Sequence, residues 1–259
     1  MKRATSLLLA ILAAAPAGAT TRSAPPIPPE RPVPAPTVEA PADALVAALR
    51  NGSFLAAYAI AIERAGGGDA GAMSILGDLH ARGLGVTRDL DRAAIWYELA
   101  ARRGDIGASF SLGMMRLRGE GGPRARRAAA DLIDRAAEQG HADAAYNAGL
   151  LVLEGDVRSR DLFRAAGLFR RAAEQGLPDA MYALAQMHRE GQGVARDMAQ
   201  AARWLRLAAE QGLPEAQVEF AILLFRGDGV PANEAEAASW FAPAARAGHA
   251  IALNRLARL

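Results

Sequence analysis

Cysteine is missing from all 259 residues, so disulfides, cysteine-ligated zinc and thiol catalysis have no residues to work with. Lysine is nearly missing as well: apart from Lys2, every strongly basic side chain is an arginine. That removes both the lysine of a phosphate-binding loop and any Schiff-base lysine. Aromatic residues make up only 5% of a chain that is 51% apolar. Such a mixture suits closely packed, alanine-rich helices better than a β-sandwich. Long apolar runs are also wanting, since Leu7–Ala15 (LLLAILAAA) is too short to cross a bilayer as a helix and no later segment is longer.

Charge of one sign is scarce too. The formal net charge is +2, and it disappears with Lys2 and Arg3, which leave 28 basic against 28 acidic residues. Net charge therefore gives no ground for nucleic-acid binding. Lys2 and Arg3 precede the apolar Leu7–Ala15 run, and Ala17-Gly18-Ala19 is a small-residue cleavage pattern. Residues 1–19 read as a secretory signal peptide, placing the mature terminus near Thr20 in the periplasm or outside the cell. Residues 20–41 hold eight prolines between Pro25 and Pro41 and read as an extended linker. Such a segment serves as a tether or, alternatively, as a ligand for an SH3-like partner.

What is present is a beat. Gly68, Gly104, Gly140, Gly176, Gly212 and Gly248 lie 36 residues apart without a slip. Ala72, Ala108, Ala144, Ala180, Ala216 and Ala252 keep the same spacing, and alanine pairs such as Ala93-Ala94 and Ala100-Ala101 return in every unit. A fixed period in the 20–50 range is the mark of a solenoid. Each unit reads as two helices. In the fourth, Pro178–Glu190 presents Ala180, Leu184 and Met187 on one face, and Gly191-Gln192-Gly193 ends it. Asp197 sits where an N-cap carboxylate belongs, and a second helix buries Ala201, Trp204, Leu205 and Ala208 before Gly212. Trp96, Trp204 and Trp240 are the expected fillers beside the alanine crossings. Residues 42–68 read as degenerate N-terminal capping helices. Five repeats follow (69–104, 105–140, 141–176, 177–212, 213–248). Residues 249–259 read as a C-terminal capping helix with Ala252, Leu253 and Leu256 inward and Arg255 and Arg258 toward water.

The stretches Leu76–Gly104 (LGDLHARGLGVTRDLDRAAIWYELAARRG) and Leu184–Gly212 (LAQMHREGQGVARDMAQAARWLRLAAEQG) resemble Sel-1-like repeats, the 36-residue relatives of tetratricopeptide repeats. The resemblance covers residues 69–259. It implies an all-α fold, a right-handed α/α superhelix of about five helix-turn-helix repeats with partial capping units, whose curved surface holds a protein partner. In bacteria it also implies export and work in envelope signalling, assembly or host contact. Two repeats depart from the motif. Repeat two reads GEGGPRARR, with Gly122 in place of valine and Ala125 in place of the capping aspartate; repeat three puts Val157 where the second loop glycine belongs. Gly167 interrupts a second helix, and Pro243 removes the N–H that would bond Ser239.

Catalytic patterns are not found. His80 and His188 share one repeat position, and His141 and His249 share another, so periodicity accounts for all four, and the pairs lie three repeats apart where a metal needs convergent ligands. Gly107–Ser111 approaches a nucleophile elbow but ends in the wrong residue. The chain reads as a non-enzyme without cofactor or metal. One cationic feature stands out: Arg116, Arg118, Arg124, Arg126, Arg127, Arg158 and Arg160 gather around the irregular loops of repeats two and three. As a ridge they suit an acidic peptide or a polyanionic glycan; as a solvated face they do nothing specific. The expectation is a periplasmic adaptor for an envelope sensor or assembly factor. A secreted effector that binds host protein or polysaccharide is the second reading, and a hydrolase the third.

Overall fold

A computed structural model describes residues 42–246 and 248–256. The leader and the proline-rich segment read from residues 1–41 lie outside the described residues. Thirteen α-helices and no strand occur among the described residues, so the chain is an all-α repeat protein. Numbered in order they are α1 (Ala42–Arg50), α2 (Phe54–Gly66), α3 (Ala70–Arg82), α4 (Leu90–Arg102), α5 (Ile106–Arg118), α6 (Arg126–Glu138) and α7 (Ala142–Glu154). After these come α8 (Leu162–Glu174), α9 (Pro178–Glu190), α10 (Met198–Glu210), α11 (Pro214–Arg226), α12 (Glu234–Arg246) and α13 (Ala250–Leu256).

Repeat four shows why the chain turns where it does. Gly191 ends α9 in the left-handed region at φ 70° and ψ 33°, its N–H donating to the Met187 carbonyl. A β-carbon there would cost about 1 kcal/mol or more. Asp197 is extended (φ −150°), and its Oδ1 accepts the Gln200 N–H at 3.0 Å, which starts α10. Asp89, Asp161 and Asn233 cap α4, α8 and α12 in the same way at 2.9, 3.0 and 3.1 Å. In repeat two the position is Ala125, which has no acceptor to offer. First helices are capped by Asp69, Asp105 and the Nδ1 of His141, or opened by Pro178 and Pro214, which lack the N–H that would need a partner.

Packing follows the beat. Ala72, Ala108, Ala144, Ala180, Ala216 and Ala252 are all at most 1% exposed, which lets helix axes approach closely. The larger core residues differ from the sequence expectation. Trp96, Trp204 and Trp240 are only half-buried, and the residue after each, Tyr97, Leu205 or Phe241, is the one that fills the space between helices. The reason is angular. Counting from Ala201, Leu205 and Ala208 fall at i+4 and i+7 on the buried stripe, while Trp204 at i+3 lies on its margin. Sizes are matched across the hairpins of repeats one and three: a β-carbon on Gly149 would lie 2.6 Å from the Phe169 ring, and one on Gly77 as close to Tyr97. Gly167 sits on the solvent side of α8, with nothing near its missing side chain. Pro243 does not end α12, which continues to Arg246.

The chain divides at Ala125/Arg126 into two compact units. Within the first, α1 to α5 pack each on the next; within the second, α6 to α13 do so. The division falls in the loop whose capping aspartate is replaced. At the last helix, Ala252 is fully buried but Leu253 is 52% exposed rather than turned inward. No second helix follows α13 among the described residues to cover it.

Candidate interaction surface

Each repeat must seat its loop on the N-terminal end of the preceding repeat's second helix. Gly85 does this against the backbone of Phe54 and Leu55, where a β-carbon would come within 2.6 Å of Phe54. Gly193 and Gly229 lie tighter still against Leu162 and Met198. Repeat three, with Val157 at this place, uses charge instead. Arg126 at the start of α6 pairs with Glu154 at 2.7 Å and Asp156 at 3.0 Å, both from the end of α7 and the loop after it. Arg158 from the same loop reaches back to Asp131 at 2.6 Å and Asp134 at 2.9 Å on α6. Burial alone would lower the pKa of Arg158, but its hydrogen bonds with Asp134 and Asp131 outweigh that and hold it above the ordinary arginine value.

The seven ridge arginines are therefore not equivalent. Arg116 pairs with Glu98 at 3.2 Å and Arg118 with Glu120 at 2.8 Å, so with Arg126 and Arg158 four of them face carboxylates of their own chain. Arg124, Arg127 and Arg160 are exposed and make no ion pair or hydrogen bond among the described residues. Arg116, Arg118 and Arg124 belong to the first unit and the other four to the second. Arg124 and Arg160 also share a repeat position with Arg88 and Arg196, whose Nε atoms donate to the Ala81 and Arg189 carbonyls at 3.0 and 3.2 Å. That position serves the end of the preceding helix, which is a structural duty rather than a ligand-binding one.

A different set of polar residues meets on the first helices of the second unit. The Glu219 carboxylate on α11 accepts the Tyr182 hydroxyl at 2.7 Å, the Gln186 amide at 2.6 Å and the Arg189 guanidinium at 2.8 Å, all three from α9. Burial, then the Glu219 charge, pushes the Tyr182 phenol well above its ordinary range. One repeat earlier Tyr146 packs on Phe169 with ring centres 5.6 Å apart, and its phenol is pushed up to about 12 by burial and the Asp179 charge. Sequence reasoning missed this cluster because each member sits at a repeat position that varies from unit to unit. The available signal was that same variation, at positions that repeat neither glycine nor alanine. On the opposite helices a groove of about 290 Å³ lies between α6 and α8. Asp134, Glu138, Arg164 and Arg171 line it around Gly167.

Reactive chemistry is not assembled. The Ser109 hydroxyl donates to the Asp105 carbonyl in its own helix. His80 stacks edge-on against Tyr58 at 5.6 Å, and His188 is buried in α9. Among the described residues no three His, Asp or Glu side chains gather as metal ligands. No helix of the described residues is long and apolar enough to cross a membrane.

The Sel1 repeat family model matches five consecutive segments, residues 70–105, 107–141, 142–177, 178–213 and 214–249. The chain belongs to the Sel1 repeat family. Two solved structures agree. The chain is similar to c5321, a protective antigen present in uropathogenic Escherichia coli strains displaying an SLR fold, with 32% identity and a TM-score of 0.74 over 78% of this chain. It spans only 43% of the length of that protein. It is also similar to a Sel1 repeat protein from Oxalobacter formigenes, with 28% identity and a TM-score of 0.72, covering 78% of this chain and 83% of that one. No curated protein matches the chain. Sel1 repeat proteins generally mediate protein–protein interaction, and the family is typically a non-catalytic scaffold.

Proposed function

We propose that this Sel1 chain is an exported scaffold that holds a protein partner in the bacterial envelope, as a periplasmic regulatory or assembly adaptor. One observation carries the reading: the periodic alanines and glycines are consumed by the core and turns, so the side chains left on the outside are the variable ones. On α9 and α11 those variable side chains form an ordered polar cluster around Glu219. An ordered surface loses less conformational entropy on binding than a mobile one. Export rests on the leader-like residues 1–19. The adaptor role rests on the interaction duty of the family.

The decisive experiment is capture of the partner from envelope extract on the tagged full chain, repeated with Tyr182→Ala and Arg189→Ala. A specific partner retained by the parent and lost by both variants is the expected result. Recovery of no specific partner, or equal capture by all three, counts against the reading. A secreted effector is the second reading, favoured by the description of the similar Escherichia coli protein as a protective antigen. Fractionation between periplasm and medium separates the two. A hydrolase is the third, and activity profiling of the purified chain tests it.

A further inference from the structure

The loop between α5 and α6 lacks three attachments that repeats one and four both possess. In repeats one, four and five the third loop residue is a half-buried valine, Val86, Val194 or Val230; in repeat two it is Gly122, exposed and with no side chain to anchor. In the other four repeats an Asp or Asn caps the following helix; in repeat two Ala125 stands there. Arg88 and Arg196 bond helix-end carbonyls, whereas the exposed Arg124 makes no hydrogen bond or ion pair among the described residues. Gly121 still packs against Leu90 and Ala94, and the Ala125 N–H donates to the Arg116 carbonyl at 3.2 Å, so the loop is held at both ends and has no side-chain anchor over Gly122–Arg124.

The bond at the end of that stretch has a particular chemistry. Arg88, Arg160 and Arg196 are each followed by aspartate, but Arg124 is followed by alanine and preceded by proline. A trypsin-like S1 pocket carries a buried carboxylate that selects arginine, and a small uncharged residue after the scissile bond meets no repulsion there. Arg126 and Arg127 extend the basic run beyond it. The bond also lies one residue before the end of the first compact unit, so its hydrolysis takes only Ala125 from that unit and leaves the second whole. We infer that the Arg124–Ala125 peptide bond is a processing site for an arginine-specific serine endopeptidase. Water adds across the amide: hydroxide joins the Arg124 carbonyl carbon through the acyl-enzyme, and the Ala125 nitrogen takes the proton. The products are a new carboxylate and a new amino terminus.

Trypsin acting on the native full chain is the probe, with new amino termini identified by mass spectrometry and rates divided by those of the urea-unfolded chain. Ala125 is the first new terminus expected, ahead of Asp89, Asp161 and Asp197. Ala125→Asn restores a cap of the kind Asn233 provides without adding charge beside the scissile bond, and it slows native cleavage at this bond about fivefold. Among bonds within residues 42–256, a first cut elsewhere overturns the inference. So does undiminished cleavage of a variant whose far-ultraviolet circular dichroism matches the parent. Recovery of the chain from its producing cells with no Ala125 terminus also overturns it, whatever partner the chain proves to bind.

Discussion

In repeat four, Gly193 lies so close to Leu162 that no β-carbon fits. In repeat three, Val157 takes the equivalent place, and the loop is held by carboxylates around Arg126 and Arg158. Both arrangements seat a loop on the N-terminal end of a neighbouring helix, and both belong to the second unit. One depends on van der Waals contact, which acts over ångströms and ignores salt; the other depends on ion pairs, which solvent and salt weaken. The same backbone position is thus reached through two independent forces. The sequence motif records only the first.

Exchanging the residues should break this comparison most severely on the steric side. Gly193→Val places a β-branched side chain at φ 67° and against the Leu162 backbone, at an expected cost of about 3 kcal/mol. Urea unfolding measures this as a lowered midpoint. A midpoint near the parental one would show that the loop relocates freely. Next in size is the hairpin beneath. Gly149→Ala pushes a methyl group into the Phe169 ring and costs about 2 kcal/mol. Adding Phe169→Leu recreates the Ala185–Leu205 pairing of repeat four and recovers most of that loss. A double variant no better than the single one would refute size matching.

The ionic seat is softer. Arg158→Met removes the bonds to Asp131 and Asp134, and because Asp131 is largely exposed the loss is only about 1 kcal/mol at low salt. The difference between parent and variant shrinks as sodium chloride is raised, while the Gly193→Val penalty stays constant. Equal salt dependence of the two would erase the distinction drawn between them. The smallest effect concerns pH. The folded chain holds the Tyr146 proton up to about pH 12, above the ordinary phenol value, so this group's stability contribution is full below that ordinary value. It is lost as pH rises toward the folded value. Ultraviolet titration should show a late phenolate, and Tyr146→Phe should flatten the alkaline fall in stability.

Repeat four was legible almost residue by residue. Its first helix is Pro178–Glu190 as read from the periodicity, and Asp197 caps the second. Those features are local: a proline's fixed φ, a glycine's left-handed freedom and a carboxylate three residues from its amide. The tryptophans were assigned too deep a place because i+3 and i+4 lie on the same side of a helix, and only the neighbouring helix distinguishes stripe from margin. Leu253 was read inward with Ala252 and Leu256 as part of a terminal cap, but the packing leaves it 52% exposed. Among the site residues, the arginines were visible as a cluster of letters, yet the carboxylate partners of Arg126 and Arg158 lie 24 to 30 residues away. The Glu219 cluster joins residues 30 to 37 apart. Nothing in a linear motif declares such pairings.

The amino-acid order by itself determined the helical class, the 36-residue unit and the places where the chain reverses. Each is set by side-chain volume and backbone freedom within a few residues, repeated until chance is excluded. Which arginines keep a free charge, which aromatic fills the core and where three donors meet one carboxylate were decided only by stacking one repeat on the next. Electrostatic pairing and packing depend on distances in space, and the folded helices set those distances after the local rules have acted.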